Sequence, residues 1–230
     1  MKRFYKTATI APEGNTFAVQ LDGRPVKTPQ GAQLVLPTPA LADAVAEEWR
    51  QQGDTIQPAA MHLTKSANTA IDGVAPRRSE VIEELLKYGS GDLLCYRADD
   101  AKLAARQAAA WDPVLDWLAD RYGARLAVTQ GITHIAQPGD AVLALGRALA
   151  PLNDYIVTGL HVATALTGSL TLALALEDAH LDAATAFDKA HLDERYQAER
   201  WGRDAEADAR LDLHAYELEM AAKFMSLART

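Results

Sequence analysis

The sequence predicts an α+β fold, with a small antiparallel, β-rich N-terminal domain followed by a larger all-helical C-terminal domain. Two observations carry that reading. The first 37 residues divide into short alternating segments separated by turn residues, and nearly everything from about residue 64 onward has helical periodicity bounded by Gly, Pro or Ser. Strands first and helices afterwards is the order of an α+β protein rather than of an alternating α/β one. With 49% hydrophobic and 23% charged residues in 230, neither disorder nor a fibrous repeat is in play.

The strand segments are KTATIAP (6–12), TFAVQLDG (16–23), RPVKTP (24–29) and AQLVLP (32–37), with turn chemistry at Glu13–Asn15, Asp22–Gly23 and Gln30–Gly31. A sheet this small needs a cover for its apolar face. The next segment supplies it: Thr38 as N-cap, Pro39 at the first helical position, and ALADAVAEEWRQQ up to Gly53. Leu41, Val45, Glu48 and Trp49 share one face, which predicts a buried Trp49. The domain boundary falls between residues 63 and 64, giving domains 1–63 and 64–230. In the second, VIEELLKY (81–88) ends at Gly89, and Asp112–Pro113 opens VLDWLADRY as cap and first residue, stopping at Gly123. The short pieces LLCYR (93–97) and LAV (126–128) are too brief to predict a second sheet. Helices follow over 138–150, 153–166, 169–179, 182–201 and 204–228.

Tyr155 to Leu176 holds 22 residues without Asp, Glu, Lys or Arg, enough in length to span a bilayer. Eight of them are Thr, Gly, Ser or His, Gly168–Ser169 reads as a stop and a fresh cap, and no basic cluster flanks the stretch. The segment is therefore expected to be two buried core helices, without stable membrane insertion.

The net charge of −8 argues against nucleic acid as a partner. The acidity is concentrated: from Glu177 onward there are 13 acidic and 7 basic residues, against 18 and 16 before it. A concentrated negative surface suits a basic partner. The lone cysteine, Cys95, excludes an internal disulfide, suits a reducing compartment, and in LLCYR reads as a buried, inert thiol. The start MKRFYK lacks the apolar core of a secretory signal.

Catalytic motifs are missing: no phosphate loop, no G-x-G-x-x-G, no G-x-S-x-G and no H-E-x-x-H. The Gly89–Asp92 loop reads as a helix end followed by a turn. His191 and Glu194 are three apart on one predicted helix but have no matching second pair for a dinuclear site. No cofactor, metal or small-molecule substrate is therefore expected. On a continuous helix advancing about 100° per residue from Phe187, the residues Ala190, His191, Ala198 and Trp201 fall within about 60°, with Glu194 in their midst. A carboxylate there needs either a cation from a neighbouring helix or a place on a contact surface.

The segments RFYK (3–6), LDGRPVKTP (21–29), AVAEEWRQQ (44–52), MHLTKSANTAID (61–72), DLLCYRA (92–98), WDPVLDW (111–117) and LDERYQAERWG (192–202) together resemble the family of assembly chaperones for the catalytic sector of F-type ATP synthase, in the branch whose client is the α subunit. The resemblance implies a β-rich domain joined to a helical one, no catalytic reaction, no cofactor, and a protein partner: the ATP synthase α subunit, held soluble and assembly-competent until it joins the β subunit. It implies client contacts at Glu194, Gln197, Glu199, Trp201 and Glu206, and motif roles for Trp49, Tyr196 and Gly202. Asp193 and Arg195 stand where other members tend to carry Glu, so the local negative charge is weaker. The expected location is the bacterial cytoplasm, or the mitochondrial matrix for a trimmed eukaryotic chain. The competing readings are an enzyme using His191 and Glu194, and a general adaptor protein.

Overall fold

The computed structural model describes residues 1–202 and 204–229. The chain forms two compact units. The first comprises Met1–Arg78, Asn153–Gly159 and the C-terminal residues from Lys223; the second comprises Ser79–Leu152 and Leu160–Ala222. The α+β order read from the sequence is the order observed, and the 63/64 boundary falls inside the first unit.

In the first unit, β1 (Ala8–Glu13) and β2 (Thr16–Leu21) are antiparallel from Ala8↔Leu21 to Glu13↔Thr16. The Asp22–Gly23 turn has both φ angles positive, at 47° and 76°, and returns the chain into β3 (Arg24–Pro25) against β2. This is the two-residue hairpin geometry that an Asp-Gly pair favours. Strand β4 (Val35–Leu36) pairs with the other end of β2. Helix α1 (Pro39–Arg50) packs on β1 and β2 through Leu41, Ala42, Val45 and Ala46, all fully buried with Ala18, Val19, Leu34 and Leu36. Thr38 caps it, accepting a bond from the Leu41 amide at 3.1 Å. Helix α2 (His62–Thr69) has no cap of its own. Glu48 of α1 replaces one: its carboxylate accepts from the amides of Leu63 and Thr64, each at 2.8 Å, and from the Thr64 hydroxyl at 2.7 Å. Trp49, expected buried, is half-buried instead. Its neighbour Glu48 turns inward onto α2 while the indole sits at the edge of the unit's core, edge-on to Tyr5 at 5.7 Å.

In the second unit, α7 (Leu170–Glu177) is buried along its whole length. The charge-free stretch is thus two helices, α6 (Asp154–Thr167) and α7, split at Gly168 and recapped by Ser169 as expected. No helix among the described residues is long and apolar enough to cross a membrane. Helix α3 (Arg78–Ser90) runs through Gly89 rather than ending there, and the glycine packs closely on its neighbours: an added Cβ would lie 2.7 Å from Leu145 Cδ1 and 3.1 Å from Leu170 Cδ2. The Gly89–Asp92 segment is accordingly structural. Asp92 is fully buried and accepts four bonds, from the Leu94 amide, the Ser169 hydroxyl, and the Thr171 amide and hydroxyl. Burial pushes its pKa up, and these four donors only partly restrain it. Cys95 is buried as well, its thiol pushed up to about 12 by desolvation.

Three further expectations are corrected. Helix α4 spans Ala101–Tyr122 and is capped by Asp100, so Pro113 lies in its interior rather than at its start. An internal Pro forgoes a bond and costs about 3 kcal/mol, but Trp111, Val114 and Leu118 on either side are fully buried and hold the helix together. A second sheet does form: β5 (Tyr96–Arg97) and β6 (Thr129–Gln130) pair in parallel, aided by the Gly131 amide bonded to Arg97 O at 2.8 Å. Finally, 182–201 is two helices, α8 (Ala183–Ala190) and α9 (Leu192–Trp201), broken at His191 with φ −104° and ψ 26°. Helices α5 (Gly139–Leu149) and α10 (Ala205–Ala228) complete the set.

Candidate functional site

The break at His191 decides what α9 can display. His191 is buried, its ring stacked on Phe187 at 4.0 Å with Nδ1 3.1 Å from Phe187 O. It therefore ends the apolar stripe of Phe187 and Ala190, which Ala198 and Trp201 do not continue. The inward face of α9 is instead Asp193, Tyr196 and Arg200, at spacings of three and four, and it is met by polar groups from α4. Gln107, almost wholly buried, donates its Nε2 to both Asp193 oxygens at 2.8 and 3.0 Å and accepts from the Ala98 amide at 2.7 Å. Tyr196 is only 7% exposed; its hydroxyl donates to Asp100 at 3.2 Å. Arg200 Nη1 donates to the other Asp100 oxygen at 2.9 Å and to the Tyr196 hydroxyl at 3.1 Å. Arg106 lies over the Tyr196 ring at 5.0 Å and pairs with Glu199 at 2.7 Å.

Asp100 thus caps α4 and anchors α9 together. The Leu103 amide above all, then the Lys102 amide, Tyr196 and Arg200, holds its carboxyl below the ordinary range. Nearby, Trp111 Nε1 donates to Lys189 O at 2.8 Å and Lys189 Nζ to Ala110 O at 2.7 Å, which fastens α8 to α4.

With that face fixed, Glu194, Gln197 and Trp201 form the adjacent stripe and all three are exposed, Trp201 to 75%. Glu194 makes no ion pair among the described residues. The expected dilemma of a buried carboxylate does not arise, because the helix break turns it out. Glu194 and Ala198, with Phe187 of α8 and Asp208, Leu211 and Asp212 of α10, line a groove of about 490 Å³ with an apolar floor and an acidic rim. Glu199 joins that rim while paired to Arg106, and Arg195, also lining it, pairs with Asp188. Glu206 is exposed in the first turn of α10 and does not line the groove. Gly202 ends α9 at φ 94°, ψ 165°, a conformation open essentially to glycine alone. Trp49 belongs to the other unit and takes no part here.

The residues that position α9, namely Asp100, Arg106 and Gln107, escaped sequence reasoning. They sit about 90 positions from their partners and form a polar inward face, where hydrophobic periodicity gives no signal. Among the described residues no group of three or more His, Cys, Asp or Glu side chains could hold a metal, and His191 and Glu194 point apart in function: one is buried, the other exposed.

Exposed aromatics on a helix held from behind are common in the class of proteins that bind other proteins. Comparison with known proteins gives the class its family. The pattern of the ATP12 chaperone protein family matches residues 2–119. A mutant of Atp12p from Paracoccus denitrificans is 42% identical and superposes with a TM-score of 0.96, covering 99% of this chain and 98% of that one. Atu1473 from Agrobacterium tumefaciens is 41% identical at a TM-score of 0.95, covering 99% and 86%. The curated mitochondrial protein atp12 of Schizosaccharomyces pombe is 23% identical over 214 residues, 87% of this chain and 74% of that protein. The chain belongs to the ATP12 chaperone protein family. It is a chaperone for ATP synthase assembly and not an enzyme.

Proposed function

We propose that this chaperone binds the α subunit of ATP synthase through the α9 surface, covering a region of the free subunit that β subunit later occupies and so keeping it assembly-competent. The observation that carries the reading is Trp201, 75% exposed at the end of a helix whose other face is pinned by Asp100 and Gln107. An exposed aromatic on a rigid support is the usual anchor of a protein interface. Gln197 precedes Trp201 by one helical turn and Glu194 by two on the same face, and the Arg200 guanidinium lies 5.9 Å from the Trp201 ring. Glu199 is paired with Arg106, and Glu206 is exposed in the first turn of α10. Such a surface favours a client segment that is basic and apolar together. The bacterial relatives support the bacterial cytoplasm as the place of action.

Co-precipitation of separately expressed α and β subunits with the chaperone tests the reading. The α subunit is expected in the bound fraction and β subunit in the unbound, with Trp201→Ala reducing α-subunit capture at an unchanged melting temperature. Equal capture of both subunits, or full capture by Trp201→Ala, would reject it.

A further inference from the structure

The first unit carries a second groove, unrelated to α9. It measures about 620 Å³, within the range of real binding sites. Phe4, Tyr5, Pro25, Val26 and Trp49 give it apolar walls, and Phe4 is left 65% exposed. Trp49 Nε1 is itself closed off from solvent, so the indole offers the groove its ring and not its N–H.

Charge distinguishes this groove from the other. Arg24 and Lys27 stand on its rim, exposed and with no ion pair among the described residues. The one carboxylate there, Asp22, is already engaged by the amides of Lys6 and Thr7 and the Thr7 hydroxyl. In a chain of net charge −8, the first 30 residues carry five basic and two acidic side chains.

We propose that this groove is a second polypeptide-binding site, taking an extended segment that combines carboxylates with an apolar anchor. The anchor packs between Phe4 and the Trp49 ring, and the carboxylates meet Arg24 and Lys27. The proposal depends on the chaperone family but not on the α-subunit reading of α9.

The test is fluorescence anisotropy on the full-length protein, with a labelled peptide of alternating Glu and Leu around one Phe, and a second peptide with Lys in place of Glu. The acidic peptide is expected to bind saturably and about tenfold or more tighter than the basic one. Arg24→Glu with Lys27→Glu, both exposed, should abolish that preference, whereas Glu194→Lys should leave it unchanged. Trp49→Phe should weaken binding several-fold. No saturable binding, a preference for the Lys peptide, or full binding by the double variant would overturn the proposal. So would concentration-dependent dimers in sedimentation that the double variant abolishes, since the occupant would then be a second copy of this chain.

Discussion

The two grooves of this protein differ in sign and in how they are built. The one beside α9 has an acidic rim on helices whose inward contacts are polar: Asp193 with Gln107, and Tyr196 and Arg200 with Asp100. The one beside Trp49 has a basic rim on a small sheet whose inward contacts are apolar, from Leu34 and Leu36 to Leu41 and Val45. Trp201 is exposed on α9 without lining the first groove, whereas the exposed Phe4 lines the second. The net charge of −8 hides this contrast, because it sums two surfaces of opposite sign.

The largest expected effect comes from removing the support behind the acidic surface. Trp111 is fully buried and bonded to Lys189 O. Trp111→Ala should cost about 3–5 kcal/mol in chemical unfolding, and a smaller loss would show that α8 and α9 hold themselves. The corresponding cut in the first unit is Glu48→Ala, which removes three bonds from the start of α2. It should cost about 1–3 kcal/mol. That value, beside the one for Trp111, compares a polar keystone with a packed one.

Two carboxylates of the second unit should respond to pH with opposite signs. Asp100 has its folded pKa below the ordinary 3.8, so its stabilisation is present above that value and lost as pH falls through the folded pKa. Asp92 has its folded pKa raised, so its contribution is present below 3.8 and lost as pH rises through the folded value. Unfolding free energies of Asp100→Asn and Asp92→Asn against pH should therefore depart from wild type on opposite sides of that point. Departure on the same side would contradict the assignment. The smallest effects belong to the displayed aromatics: Phe4→Ala and Trp201→Ala should each change stability by no more than about 0.5 kcal/mol.

Local chemistry made the first unit largely legible. The Asp22–Gly23 turn, the Thr38–Pro39 cap and the alternation of β2 each state their structure within a few residues. The same held for Gly168–Ser169 between α6 and α7. What escaped depended on distant or polar partners. Pro113 sits inside α4 because Asp100 starts that helix and Trp111 holds it, neither of which a cap-and-proline rule weighs. Nothing in local periodicity marks a helix break at His191, so the stripe drawn from Phe187 to Trp201 joined two helices into one. Trp49 shares a helical face with Leu41 and Val45, but that face runs out at the groove.

If the α9 surface serves binding and not folding, Glu194→Lys separates the two roles in a single variant. The measurement pairs thermal unfolding with suppression of α-subunit aggregation on the same preparation. Because Glu194 is exposed and unpaired among the described residues, the melting temperature should match wild type while protection of α subunit is lost, with Glu194→Gln in between. A Glu194→Lys protein that protects α subunit as well as wild type, or one that fails to fold, would contradict the account.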